Sequence, residues 1–122
     1  LDRAIIADGC ILNDCDIEHA VVGVRSVVSK GASLKNVVMM GADHFEDLAE
    51  IEDNERLNRP SIGIGPNSVI EDAIIDKNVR IGANVKLSPK GKPDGFQEGA
   101  VVIRDGVLVV HKNGIVPDNT VI

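Results

Sequence analysis

The chain has 122 residues, enough for one domain with its own core. Its formal net charge is −6, and its 43% hydrophobic share is almost wholly aliphatic, with no Trp, no Tyr and two Phe. The charge argues against a general nucleic-acid binder, and no apolar run approaches the roughly 18 residues of a membrane-spanning helix. The start, "LDRAIIADG", has no initiator Met and no signal-peptide pattern. It enters mid-pattern, so a chain cut from something longer is expected.

From the N-terminus, aliphatic residues recur at Ile6, Leu12, Ile17, Val22, Val28 and Leu34, in steps of 6, 5, 5, 6 and 6. A period near six fits neither the strand repeat of about 2 nor the helix repeat of about 3.6. It fits one side of a three-sided coil. Each side is a short strand whose aliphatic residue points inward, and each corner is a tight turn carrying Gly, Asn or Asp. "IEHAVVG" from Ile17 and "LKNVVMMG" from Leu34 start 17 residues apart, which is one circuit. Stacked coils bury the aliphatic positions, so the fold class expected is all-β: a hexapeptide-repeat prism, the parallel β-helix. By resemblance to chains with this signature, its hand is left. Cys10 and Cys15 sit among aliphatic residues in this first stretch. They suit small buried hydrophobes in a reducing compartment better than a disulfide or half a metal site.

Residues 41–61, "GADHFEDLAEIEDNERLNRPS", break the pattern as an excursion. Seven acids and no Lys or Arg fall within 43–55, so the remainder, with 12 acids against 13 bases, is close to neutral. Phe45, Leu48 and Ile51 are spaced as the inner face of one or two helical turns, and Pro60 ends the segment. The coil resumes at Ile64, Ile70, Ile75, Ile81 and Leu87, in steps of 6, 5, 6 and 6. Residues 88–99, "SPKGKPDGFQEG", read as a Gly/Pro/Lys loop. "AVVIRDGVLVVHKNG" then alternates around "RDG" as a hairpin-like pair, and Val110, Val116 and Ile122 close the chain in steps of six.

Catalytic groups are not apparent. His19, His44 and His111 have no metal-ligand spacing, and "IGIG" at 62–65 is a corner of the repeat rather than a phosphate cradle. No catalytic residue and no metal site are assigned. Lys77 in "IIDKN" and Lys112 in "VVHKNG" each follow an aliphatic strand closely. They are either exposed corner lysines or two ammonium groups that converge on a phosphate or carboxylate.

Four segments, "GCILNDCDIEHAVVGVRS", "VVMMGADHFE", "SIGIGPNSVIEDAIIDKNVRIGANVKL" and "GVLVVHKNGIVPDNTVI", resemble in order and spacing the C-terminal domain of the ADP-glucose pyrophosphorylase (glucose-1-phosphate adenylyltransferase) family. The likeness is to the plant and cyanobacterial type and covers nearly the whole chain. It implies that residues 1–122 are a single C-terminal β-helix domain of a longer enzyme, lacking the N-terminal catalytic domain. That enzyme makes ADP-glucose and pyrophosphate from ATP and glucose 1-phosphate. Mg²⁺ and ATP would bind the missing domain, so this chain holds no cofactor and is expected to be inactive alone. The resemblance implies a regulatory and oligomerisation role, with the chain's own catalytic domain and the other subunits of a tetramer, homo- or hetero-oligomeric, as partners. It also implies a small anionic effector, 3-phosphoglycerate in competition with phosphate in the plant and cyanobacterial type. The family's effector lysines fall on Lys77 and Lys112, and the arginine of "VVGVRS", Arg25, joins them. The expected location is cytoplasmic, or plastid for a plant protein, with neither nucleic acid nor membrane as partner. Two departures bear on effector identity: His44-Phe45 replaces the family's aromatic pair after "MGAD", and the loop between Lys77 and Lys112 is shorter and richer in Gly and Pro. The alternative functions are a free-standing hexapeptide scaffold and a sugar-nucleotide acyltransferase.

Overall fold

The computed structural model describes residues 2–122. In chain order the elements are β1 (Asp2–Ile6), β2 (Ile11–Leu12), β3 (Asp16–Val22), β4 (Val27–Val28), β5 (Ser33–Met39) and the helix α1 (Leu48–Leu57). They continue with β6 (Gly63–Ile64), β7 (Val69–Ile75), β8 (Arg80–Ile81), β9 (Lys86–Leu87), β10 (Gln97–Glu98), β11 (Val101–Arg104), β12 (Val107–Val110) and β13 (Ile115–Val116). The strands β3, β5 and β7 each hold one residue in the left-handed region, at His19, Asn36 and Asp72, with φ of 50, 54 and 52°. Each strand therefore turns a corner midway and lines two sides of the prism. The third side is the sheet β13-β8-β6-β4-β2, all of whose pairings are parallel. Most non-glycine left-handed residues are Asn or Asp, whose short polar side chains tolerate this backbone best.

Strand register stacks the sequence repeat into three inward columns. The first is Ile17, Leu34, Ile70 and Leu87; the second is Ile6, Val22, Met39, Ile75 and Val110; the third is Leu12, Val28, Ile64, Ile81 and Val116. Every member from Ile17 onward is buried, at 4% exposure or less, while Ile6 and Leu12 on the first described coil are partly buried. The five-residue steps are sides on which one corner is a single left-handed residue, as at His19. Residues between the columns, such as Ala20, Val37, Ala73 and Leu108, complete the core. Fully burying a Val, Leu or Ile side chain contributes about 1.5–3 kcal/mol, so thin aliphatic layers suffice to hold the coils. Cys10 and Cys15 are free and half-buried at the edge of this core, with the Cys10 thiol donating to the Gly23 carbonyl at 3.1 Å.

The "RDG" hairpin is present: β11 and β12 pair antiparallel across Asp105 and Gly106, both at positive φ, as a two-residue type I′ turn requires. The second hairpin strand, β12, then rejoins the prism parallel to β7.

The excursion departs from the sequence expectation. It contains a ten-residue helix, longer than the one or two turns its spacing suggested. Phe45, Leu48 and Ile51 are not its inner face; they are 47, 74 and 41% exposed. The buried residue of α1 is Asn54. Polar bonds replace an apolar stripe because the segment lies over a coil corner that offers charge rather than a hydrophobic groove. Arg80 Nη1 donates to Glu46 Oε2 at 2.8 Å, to Asn54 Oδ1 at 3.0 Å and to the Pro60 carbonyl at 2.9 Å. Asn54 Nδ2 donates to Glu46 Oε2 at 2.6 Å, Arg59 Nε to Asn54 Oδ1 at 2.7 Å and the Ile62 amide to Glu46 Oε1 at 2.9 Å. The helix itself starts with a capping box between Asp47 and Glu50 and stops at Asn58, which is left-handed at φ 53°.

Candidate functional site

One corner of the prism carries all three predicted basic residues. It joins the side ending at Val22, Met39, Ile75 and Val110 to the side beginning at Val27, Arg80 and Ile115. Its turns succeed one another by backbone bonds: the Arg25 amide donates to the Asp8 carbonyl at 3.1 Å, that of Asn78 to Gly41 at 3.1 Å and that of Asn113 to Lys77 at 2.9 Å. Arg25, Asn78 and Asn113 all take the left-handed backbone, at φ 55, 59 and 61°, and occupy the same position of three turns in this stack. Lys77 and Lys112 therefore stand directly over each other, one coil apart, with backbones about 4.8 Å apart by ordinary strand spacing. Lys112 and the neighbouring His111 are exposed, and the Lys77 side chain is 45% exposed.

Between Arg25 and Lys77 lies the turn from which the excursion leaves. Gly41 opens it at φ 96°; a Cβ there would lie 2.3 Å from the Val24 carbonyl oxygen, so the close approach of the two turns admits only glycine. Arg25 is half-buried and spends its Nε on the Ala42 carbonyl at 2.9 Å. It lines a cleft of about 160 Å³ with His44, Phe45, Glu46 and Ile62. Lys77 and Lys112 are thus brought together, whereas Arg25 shares the corner but faces the excursion.

Sequence reasoning missed Asp43. Its carboxylate accepts from Asn78 Nδ2 at 3.0 Å and meets Lys77 Nζ at 3.4 Å, while its backbone amide donates to Asn78 Oδ1 at 2.9 Å. The Asn78 hydrogen bond foremost, then the Lys77 hydrogen bond and charge, hold its carboxyl below the ordinary 3.8, with Lys112 adding its charge. The available signal was an acid following "MGA", but nothing in the spacing ties residue 43 to residue 77. Asp76 is committed within its own turn, accepting from the Lys77 amide at 2.7 Å.

The three histidines do not converge. His19 Nδ1 bonds Asn36 Oδ1 at another corner, His44 Nε2 lies 2.9 Å from Glu50 Oε2, and His111 stands beside Lys112. Among the described residues no cluster of His, Cys, Asp or Glu could hold a metal ion. A cleft of about 660 Å³ runs between α1 and the Pro117–Asp118 turn, and none of the three basic residues lines it. No described helix is long and apolar enough to cross a membrane.

Coil geometry, three aliphatic columns and the corner turns define a hexapeptide-repeat domain of the parallel β-helix class. The chain belongs to the family described as the GLGC left-handed parallel beta-helix domain, which matches residues 1–121. It is 45% identical to glucose-1-phosphate adenylyltransferase large subunit 1, chloroplastic/amyloplastic, of Zea mays, over 98% of this chain and 23% of that protein. The chain thus spans about a quarter of the length of this relative.

Proposed function

We propose that the chain is the regulatory and assembly domain of a glucose-1-phosphate adenylyltransferase, and that the Lys77–Lys112 corner receives a small anionic effector, with Arg25 as a third basic group. The observation that carries this reading is the in-register stacking of two lysines drawn from positions 35 residues apart in sequence. Paired ammonium groups at coil spacing match the two or three oxygens of a phosphate or carboxylate. On this reading ATP, Mg²⁺ and glucose 1-phosphate would be held by a catalytic domain elsewhere in the full-length enzyme. That domain and further subunits, in a tetramer, are its proposed partners. The setting is cytoplasm, or plastid as the maize relative's name states for that protein.

The test is activator titration of the full-length enzyme carrying Lys77→Ala or Lys112→Ala, with 3-phosphoglycerate as activator. Loss of one charge-assisted contact should raise the half-saturating concentration about 10–150-fold. Unactivated turnover should stay as in the wild type, and stability should change by less than about 0.5 kcal/mol, as for exposed side chains. Lys→Arg keeps the charge but alters geometry, so the loss should be partial. Unchanged half-saturation in both variants removes the lysines from the site. A matching fall in unactivated turnover assigns them a structural role instead.

A further inference from the structure

The lysine corner is not an empty cation. Asp43 stands against it, with its carboxylate 3.4 Å from Lys77 Nζ and clamped by Asn78 on both its backbone and side-chain sides. The Asp43 side chain is 52% exposed and that of Lys77 45%, so solvent and solutes reach the pair. Asn78 occupies the left-handed position of the same turn as Lys77, which aims its amide at Asp43 without further ordering. The acid is therefore held in place whether or not Lys77 is paired. Its carboxyl titrates below its ordinary value, so it is ionised throughout the neutral range.

We infer that Asp43 is an internal competitor for the anion corner: its carboxylate occupies Lys77 in the unliganded protein, and an anionic ligand binds by displacing it. This inference rests on the reading of Lys77 and Lys112 as an anion site and adds to it a residue that sets how much anion the site requires. An entering phosphate or carboxylate replaces the Asp43 carboxylate at Lys77 with its own oxygen and gains a further contact at Lys112. The tethered acid loses little entropy on re-pairing, whereas a free ligand loses its translational freedom on binding. Asp43 thereby raises the anion concentration that the site requires. Exposed pairs of this kind are weak, so the competition should shift affinity by a small factor rather than abolish binding.

The experiment is calorimetric titration of the full-length protein with inorganic phosphate, comparing wild type with Asp43→Asn, Lys77→Ala, Lys112→Ala and the double variant Asp43→Asn/Lys77→Ala. The amide is isosteric and still accepts from Asn78, so the turn keeps its geometry. Glu52→Gln, an exposed acid on α1, controls for net charge. Asp43→Asn should bind phosphate about two- to fivefold more tightly, the scale of an exposed ion pair. Glu52→Gln should match wild type, and the Asp43→Asn gain should vanish once Lys77 is Ala. If Asp43→Asn matches wild type while the lysine variants weaken, the competitor role is overturned and the anion site stands. A gain that persists without Lys77, or that Glu52→Gln reproduces, overturns it as well, since the effect is then long-range charge. Absent phosphate binding in wild type, or affinity unaltered in both lysine variants, overturns the anion-site reading itself.

Discussion

The coils and the excursion are neighbours held by opposite means. Each coil side carries only a short strand and is kept in place chiefly by its inward aliphatic residue, with Ile81 and Leu87 at 1% exposure. The segment from Asp43 to Ile62 turns its aliphatic residues outward and is tied down by Glu46, Asn54, Arg59 and Arg80. Apolar burial is non-directional and adds coil by coil, so a solenoid can use it repeatedly. A charged network is directional and unique, so it suits a single attachment that must have one geometry. The lysine corner sits where the two regimes meet: its lysines belong to the coils and its counter-ion belongs to the excursion.

Ile81→Ala should cost about 2–5 kcal/mol, as buried aliphatic truncations do, and lower the denaturation midpoint of the whole domain. A change within about 0.5 kcal/mol by chemical denaturation breaks the claim that the column Val28–Ile64–Ile81–Val116 carries stability.

Arg80→Ala should affect the other regime. The Arg80 and Glu46 side chains are 13 and 8% exposed, and removing one partner of a buried pair costs about 3 kcal/mol. The loss should be local: faster hydrogen exchange and proteolysis across 48–57, with a smaller shift in the global midpoint. Burial pushes the Glu46 carboxyl up, but the hydrogen bonds from Asn54, Arg80 and the Ile62 amide, with the charge of Arg80, outweigh it and leave it below the ordinary 4.5. Its stabilisation is therefore present above pH 4.5 and lost as pH falls through the lower, folded value. An excursion as protected in Arg80→Ala as in wild type would refute the polar-anchor account.

The smallest effect belongs to His44. Its hydrogen bond to Glu50, then the charge of Glu50, raises its pKa above the ordinary 6.5. A raised histidine stabilises fully below that ordinary value and loses the contribution as pH rises through the folded pKa. Exchange protection of the α1 amides, corrected for intrinsic rates, should decline slightly above neutrality in wild type and not in His44→Gln. Equal pH dependence in the two proteins removes His44 from the helix N-terminus.

The period of six in the aliphatic residues, together with Asn, Asp and Gly at the corners, was sufficient for the prism and for its register. A hexapeptide coil contacts chiefly the coils above and below it, so its pattern repeats locally and can be read without knowing distant contacts. The hairpin was equally readable, because "DG" between alternating apolar residues specifies a two-residue turn. The excursion misled, because Phe45, Leu48 and Ile51 are spaced as an inner face, yet which face of a helix is buried depends on what lies beneath it. Arg80 lies beneath, and it is 26 residues from Asn54 and 34 from Glu46 in sequence. The same reason governs the basic corner. Lys77 and Lys112 were identifiable as residues from sequence, but their stacking required the hairpin between them to return the chain to the same column. That Asp43 opposes Lys77, and that Arg25 turns toward the excursion, followed only from the approach of turns remote in sequence, where side-chain hydrogen bonds choose partners that no local spacing encodes.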